Sequence, residues 1–151
     1  MLKYNLSKID NISKKILLRL SRTDHIFLFG ELGSGKTTFA RSLIQQLQKK
    51  NKVNKTEVLS PTFNLLHEYQ IKSVKVMHYD LYRLKKISEI EQLGIFQENK
   101  SVITIIEWPE KIKKKIKNRL EITFFYEKDY ESRKIKIKGF GKWKNFKINE
   151  I

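Results

Sequence analysis

Apolar and polar residues follow patterns that predict both helices and strands along this chain. From residue 6 to residue 20, apolar side chains recur every three or four positions, which predicts an amphipathic helix with Ser7 as its N-cap. Short, nearly continuous apolar runs at residues 25–29 and 102–106 are typical of strands buried on both faces of a sheet. The pattern therefore indicates a sheet that is covered by helices.

Two further helices are predicted by the same spacing, at residues 38–47 and 81–93. Gly94 follows the second segment and predicts its end, because glycine readily adopts the left-handed conformation found at helix C-termini. A polar stretch at residues 49–55 predicts a loop after the first segment.

Two hairpins are predicted from pairs of strand-like segments. The pairs are residues 63–69 with 74–79, and residues 120–126 with 134–140 around a polar turn at 127–132. Residues 142–151 favour a helix and a strand about equally.

Composition limits which cell compartment and which kinds of chemistry we expect for this chain. The chain has no cysteine, which excludes disulfides and thiolate metal sites. The sequence shows no signal peptide and no apolar run of membrane-spanning length, so we expect a soluble cytoplasmic protein without membrane contact.

The formal net charge of +16 favours a nucleic-acid partner. The alternative is an ordinary solvated surface, because many lysines are scattered and lysine far outnumbers arginine, as expected of AT-rich codons. The densest basic run, at residues 111–117, follows Pro109 and predicts an exposed helix that contacts tRNA, an acidic partner or only solvent.

The segment from Gly30 to Thr37, GELGSGKT, matches the pattern of a phosphate-binding P-loop and lies between a predicted strand and a predicted helix. Gly33 and Gly35 carry no side chain, so backbone N–H groups can close around phosphate oxygens. Lys36 can reach the β- and γ-phosphates, and the Thr37 hydroxyl can hold Mg²⁺. We predict that the nucleotide-binding residues of this loop and the following helix are Gly30, Glu31, Leu32, Gly33, Ser34, Gly35, Lys36, Thr37 and Thr38.

Length, pattern and motif together define the expected fold class. A chain of 151 residues is long enough for one domain with a covered sheet. We predict a single α/β domain over residues 1–151, a three-layer P-loop NTPase with a mixed central sheet and helices on both faces.

Two carboxylates follow predicted strands, Asp80 after residues 74–79 and Glu107 after residues 102–106. Ligands bind at the carboxyl ends of parallel strands, and a P-loop protein needs an acid there to hold Mg²⁺ directly or through water. Glu107 is the best positional match and Asp80 the second. The alternatives are a helix-terminal acid before Pro109 for Glu107 and a helix N-cap for Asp80.

Three other side chains belong to these segments. Thr62 follows Pro61 in a loop, and in GTPase-type proteins a threonine in that place closes over γ-phosphate and Mg²⁺, although an ordinary turn residue is the alternative. Trp108 can stack on the nucleotide base or lie in the core. His78 is interpreted as a packing residue.

Four short motifs resemble those of the bacterial TsaE family, also called YjeE: residues 30–38, Ser60-Pro61-Thr62, residues 78–83 and Glu107-Trp108-Pro109. The resemblance covers residues 25–109 and is weak on either side. It implies an ATPase subunit of the machinery that forms threonylcarbamoyladenosine in tRNA. Its ATP cycle would reset that complex and would not perform the transfer.

The resemblance also implies partners and roles. The partners would be similar to TsaD and TsaB, with tRNA reached through their complex. ATP and Mg²⁺ would bind through the P-loop and Trp108, with Thr37 and Glu107 as metal ligands. Glu107, Asp80 and Thr62 would be the catalytic residues.

Two other functions remain open at this stage. One is a small-molecule P-loop kinase, although the six arginines form no clustered lid of the kind that neutralises a transferring phosphoryl group. The other is a binding module in which ATP stabilises a basic RNA-binding surface.

Overall fold

The computed structural model describes residues 1–97, 101–114, 116–127 and 132–148. Over these residues the strands are β1 (Leu2–Asn5), β2 (His25–Phe29), β3 (Leu66–Ile71), β4 (Val74–Asp80), β5 (Val102–Glu107), β6 (Arg119–Tyr126) and β7 (Ser132–Phe140). The α-helices are α1 (Ile9–Leu17), α2 (Lys36–Lys50) and α3 (Ile87–Gln92). Short 3₁₀ turns cover Leu6–Lys8, Pro109–Lys111 and Gly141–Trp143.

The described strands form one mixed sheet in the order β1-β7-β6-β2-β5-β4-β3. The central strands β6, β2, β5 and β4 are parallel, whereas β3, β7 and β1 are antiparallel to their neighbours. The carboxyl ends of β2, β5 and β4 therefore meet at one edge of the sheet, where α/β proteins bind their ligands. This confirms the predicted mixed sheet.

Side chains alternate between the two faces of the sheet. On one face, Ile26 and Leu28 are buried under α1 and α2. On the other face, Phe27 and Ile106 pack with Ile90 of α3 and with the turns around that helix. Each such side chain contributes about 1.5–3 kcal/mol when it leaves water. Helices thus cover both faces, as predicted.

The N-terminal region differs from the prediction. Residues 2–5 form β1, which the periodicity did not indicate, and α1 occupies only the middle of the predicted helix at 6–20. The N-cap of α1 is Lys8 without a side-chain capping bond, so the prediction of Ser7 as N-cap is wrong. The physical reason is long-range pairing, because β1 is held by β7 and local spacing carries no information about such a partner.

The helix predicted at 81–93 is much shorter in the structure. The Glu89 carboxylate accepts hydrogen bonds from the backbone N–H groups of Lys85 and Lys86, at 3.0 and 2.7 Å, and these bonds set the beginning of α3. Gly94 has a φ of 62° and follows the helix, as predicted. In the part of the chain that the structure describes, no helix has the length and apolar character needed to cross a membrane.

The segment between α2 and β3 has no regular element. The predicted loop at 49–55 begins later because α2 extends into it, and the irregular segment continues as far as residue 65. Val58 is nevertheless buried, and its carbonyl accepts a hydrogen bond from Arg41 Nε at 2.9 Å. A side chain therefore satisfies a backbone group that lies outside any strand ladder.

The C-terminal hairpin is confirmed by the antiparallel pair β6 and β7, while residues 128–131 of its predicted turn lie outside the described residues. Trp143 is fully buried on the face covered by α1 and α2. A Cβ atom on Gly139 would lie 1.9 Å from the Trp143 carbonyl oxygen, so this close approach requires glycine. The final turn thus packs back on the sheet.

Candidate functional site

The loop between β2 and α2 has the shape expected of a P-loop. Gly30 and Gly33 have φ angles of 135° and 73°, in the region that favours glycine. A Cβ on Gly30 would lie 2.7 Å from the Phe124 carbonyl oxygen, and one on Gly33 would lie 2.6 Å from Tyr126 Oη. Space as well as backbone conformation requires glycine at position 30. At position 33 the conformation requires it, and the Tyr126 hydroxyl would have to shift to admit a Cβ atom.

Lys36 is the first residue of α2 and is only 4% exposed. Its Nζ donates hydrogen bonds to the carbonyl oxygens of Gly30 and Glu31, at 2.6 and 2.8 Å. Burial lowers the pKa of this ammonium group, and the carboxylates of Glu107 and Asp80 act in the opposite direction. The cation is thus held over the loop, between its carbonyls and the acids at the strand ends.

Thr37 and Glu107 meet across the edge of the sheet. The Thr37 hydroxyl lies 2.9 and 3.0 Å from the two carboxylate oxygens of Glu107, which is 2% exposed at the end of β5. The register of β2 and β5 places Leu28 beside Glu107, so the acid sits next to the start of the P-loop. Its side-chain contacts favour the predicted site role over a helix-terminal acid.

His78 also bonds Glu107, with Nε2 at 2.8 Å from Oε1. The imidazole is completely buried, as expected for a packing residue, but its polar contact was missed by the sequence analysis. A signal was present in the alternation of strand side chains, since His78, Asp80 and Glu107 share one face once β4 and β5 are paired. The contact between His78 and Glu107 becomes visible only when the pairing of β4 with β5 is known.

Asp80 lies beside Glu107 in the register of β4 and β5. Its Oδ2 accepts a hydrogen bond from the Thr62 hydroxyl at 2.7 Å, and its Oδ1 accepts one from the Tyr82 backbone N–H at 2.9 Å. The Ser60 hydroxyl lies 2.8 Å from that of Thr62. Asp80 therefore ties the Thr62 loop to the strand end, and it is not the N-cap of α3, which begins farther along the chain.

Trp108 follows Glu107 with a φ of 58°. Its ring centroid lies 4.1 Å from Lys36 Nζ and 4.8 Å from the centroid of the Tyr82 ring. The ring is half-buried and is therefore neither fully in the core nor free in solvent. It forms one wall of the candidate site.

These side chains surround a cavity of about 140 Å³. Its lining consists of Leu32, Gly33, Gly35, Lys36, Thr37, Thr38, Ser60, Thr62, Asp80, Glu107 and Trp108. The predicted residues Gly30 and Glu31 lie just behind it and contact Lys36, while Ser34 is buried. A larger cavity, about 480 Å³, lies at the opposite ends of the strands beside His25 and contains none of the predicted site residues.

The oxygen donors at the site fit Mg²⁺. This ion prefers oxygen ligands and usually takes most of them from water and substrate phosphates, with one or two from the protein. The Thr37 hydroxyl and the Glu107 carboxylate supply such oxygens beside the P-loop. Among the described residues, no group of three or more His, Cys, Asp or Glu side chains is arranged to hold a metal.

Tyr126 is a second residue that the sequence analysis missed. Its hydroxyl, at the end of β6, donates a hydrogen bond to the Leu32 carbonyl at 2.5 Å and so supports the tip of the P-loop. Nothing in the local sequence marks this tyrosine, because its position depends on the pairing of β6 with β2.

The described residues of the basic segment 111–117 do not form the exposed helix that was expected after Pro109. Beyond the 3₁₀ turn at Pro109–Lys111 its described residues lie in no regular element, and Lys115 is outside the described residues. Ile112 and Ile116 pack against the core on the α3 face. The segment is thus anchored to the core by apolar side chains, and its contact with tRNA stays a prediction.

Comparison with known proteins identifies relatives of the chain. The model of the family described as "Threonylcarbamoyl adenosine biosynthesis protein TsaE" matches residues 4–135. The protein named tRNA threonylcarbamoyladenosine biosynthesis protein TsaE from Rickettsia typhi is 40% identical over 103 residues, covering 68% of this chain and 69% of the relative. The protein of the same name from Haemophilus influenzae is 39% identical over 100 residues, covering 64% and 60%.

The alignments leave part of the relatives unmatched. In the protein of that name from Rickettsia felis, 38% identity extends over 109 residues, 72% of this chain but only 61% of the relative. Among solved structures, Bacillus subtilis YdiB superimposes with a TM-score of 0.69 at 24% identity, covering 95% of this chain and 88% of YdiB. This likeness supports the fold, in agreement with the sheet and helices described above.

Proposed function

The chain belongs to the TsaE family, and we propose that it binds ATP with Mg²⁺ and hydrolyses ATP in the biosynthesis of threonylcarbamoyladenosine in tRNA. The observation that carries this proposal is the contact between Thr37 of the P-loop and Glu107 at the end of β5. A hydroxyl and a carboxylate in that relation are the oxygen pair by which P-loop proteins hold Mg²⁺. Bound Mg²⁺ would neutralise charge on the phosphate oxygens.

Lys36 and the P-loop backbone provide the binding part of the proposed reaction. The Lys36 ammonium, now bonded to Gly30 and Glu31, has donors that can turn to phosphate oxygens. The N-terminus of α2 directs its partial positive charge to the same place. Trp108 offers an aromatic wall beside Lys36 that is suited to the nucleotide.

In this proposal, Asp80 and the loop that carries Thr62 make hydrolysis respond to a partner protein. Their hydrogen bond fixes a loop that lies in no regular element and carries Phe63 with 82% of its surface exposed. Leu32 and Tyr82, on other segments that flank the site, are 66% and 49% exposed. Such apolar side chains around the site suit its closure by a protein partner.

We further propose that the partners are a TsaD-like and a TsaB-like protein, in the cytoplasm, with tRNA reached through their complex. In this proposal the ATP cycle resets the complex and the partners carry out the transfer. Arg83 lies over the Phe63 ring at 5.4 Å, at the edge of the Thr62 loop. We expect hydrolysis by the chain alone to be slow and to rise when a partner closes this loop over the site.

The test measures phosphate release from ATP·Mg²⁺ with and without the TsaD-like and TsaB-like proteins of the same cell. Stimulation by the partners, and its loss in Lys36→Ala and Glu107→Ala, is the expected result. Lys49→Ala is the matched control, because Lys49 is an exposed lysine at the other end of α2. Transfer of phosphate to a small metabolite in place of its release would favour a kinase and overturn the proposal.

A further inference from the structure

His78 is a completely buried histidine whose presence is not explained by packing. Its Nδ1 has no hydrogen-bond partner among the described residues. Burying a polar nitrogen without a partner is unfavourable, and an apolar side chain of similar volume would avoid that cost. A histidine at this position is therefore better explained by a contact of its other ring nitrogen, Nε2.

That nitrogen, Nε2, contacts the Glu107 carboxylate. The parallel register pairs His78 with Ile105 and Asp80 with Glu107, so His78 reaches the acid diagonally from the neighbouring strand. The distance from Nε2 to Oε1 is 2.8 Å, and both groups are shielded from water. In such surroundings a hydrogen bond to a carboxylate is stronger than it is in water.

Glu107 needs this second donor. Thr37 has one hydroxyl hydrogen to share between Oε1 and Oε2, at 2.9 and 3.0 Å, so it does not fix the rotation of the carboxylate by itself. The bond from His78 goes to Oε1 and distinguishes the two oxygens. Oε2 keeps more of its lone-pair capacity for another ligand.

We propose that His78 is a positioning residue, whose Nε2–H holds the Glu107 carboxylate in the orientation that Mg²⁺ requires. Because an ionised carboxylate only accepts hydrogen bonds, Nε2 carries a hydrogen. Nδ1 carries the lone pair in this proposal, since an N–H there would be buried without an acceptor among the described residues. The inference rests on the proposed role of Glu107 at Mg²⁺. It goes further in assigning a function to a residue that does not touch the nucleotide.

The first experiment measures the apparent affinity for Mg²⁺ in the presence of a non-hydrolysable ATP analogue. His78→Leu keeps an apolar side chain of comparable size and is expected to weaken the affinity roughly 10- to 100-fold, the range for loss of a group that orients a metal ligand. His78→Gln places an amide N–H at a similar reach and is expected to restore most of it. Binding of the analogue without Mg²⁺ should be unchanged in both.

His67→Leu is the matched control, because His67 is the cross-strand neighbour of His78 on β3 and no bond joins it to the acid. Wild-type Mg²⁺ affinity in His78→Leu, or equal losses in His78→Leu and His78→Gln, would overturn the inference. A wild-type protein whose nucleotide binding is independent of Mg²⁺ would overturn the proposed function instead.

A second measurement needs no ligand and leaves His78 itself unchanged. Nitrogen-15 NMR of the ligand-free wild-type protein reports which ring nitrogen carries hydrogen, and the chain has three histidines to assign. His25→Gln and His67→Gln each remove one signal and identify the rest. An Nε2–H imidazole at His78 supports the inference, whereas an Nδ1–H imidazole contradicts it.

Discussion

Replacing Asp80 with alanine should separate nucleotide binding from partner-stimulated hydrolysis. Asp80 accepts hydrogen bonds from the Thr62 hydroxyl and the Tyr82 N–H, whereas Lys36 and Thr37 bond other groups. The variant should therefore keep its affinity for ATP within a few-fold and lose the anchor of the Thr62 loop. Loss of that anchor should reduce only the hydrolysis that requires the closed loop, which is the hydrolysis stimulated by partners.

The magnitude follows from the bond that is lost. A hydrogen bond to a charged group contributes about 1.5–3 kcal/mol. Since about 1.4 kcal/mol corresponds to a factor of ten, the population of the anchored loop should fall roughly 10- to 100-fold. Partner-stimulated hydrolysis should fall by the same factor, because the proposal makes it depend on that loop.

Single-turnover hydrolysis and nucleotide binding should be measured together, with and without the TsaD-like and TsaB-like proteins. Glu107→Ala should lower both quantities, since it removes the acid bonded to Thr37. Asp10→Ala is the matched control, because it removes a similar carboxylate–hydroxyl bond, 2.5 Å to Ser42, on a different pair of elements. Full partner-stimulated hydrolysis in Asp80→Ala would refute the reasoning and leave Asp80 as a turn residue.

Three further predictions concern affinity and stability. Lys36→Ala should cost about 1.5–3 kcal/mol of nucleotide binding per lost phosphate contact, and unchanged affinity in calorimetry would contradict its proposed role. Gly33→Ala should destabilise the P-loop because the φ of Gly33 is 73° and the new Cβ would lie 2.6 Å from Tyr126 Oη. Denaturant unfolding should show the loss of folding free energy, and adding Tyr126→Phe should recover part of it. Burial raises the pKa of Tyr4 from 10.0 to about 12, so the free energy of unfolding should be intact below pH 10 and fall as the pH rises towards 12. Tyr4→Phe should flatten that fall, and an identical pH profile in the variant would show that Tyr4 is not its source.

The parts of the fold that could be predicted are those whose cause is local. The runs at β2 and β5 are apolar because both faces of a central strand are buried, and that requirement is visible in the sequence. The P-loop glycines are needed for their φ angles and for close approach, which a short motif also records. The placement of Glu107 and Asp80 at one edge of the sheet could be predicted because each ends an apolar strand.

The parts that could not be predicted depend on distant partners. β1 forms because its residues pair with those of β7. The hydrogen bond from Tyr126 to the P-loop depends on the pairing of β6 with β2. Leu81 and Leu84, which were assigned to a helix at 81–93, are buried from irregular backbone before α3, and such backbone has no fixed spacing of apolar residues. His78 was assigned to packing for the same reason, because the acid it contacts is on another strand.

The different roles proposed for the two acids follow from the side chain that each of them bonds. Asp80 and Glu107 are neighbours in one register, so the sheet holds both backbones equally. Glu107 bonds Thr37, which is in the first turn of α2 and is fixed by the packing of that helix on the sheet. Asp80 bonds Thr62, which lies in a segment without regular secondary structure, next to the exposed side chain of Phe63. The first pair is therefore suited to hold a metal ion at constant geometry. The second is suited to respond when a partner covers the exposed side chains beside it, which is why loss of Asp80 should be felt only in the presence of that partner.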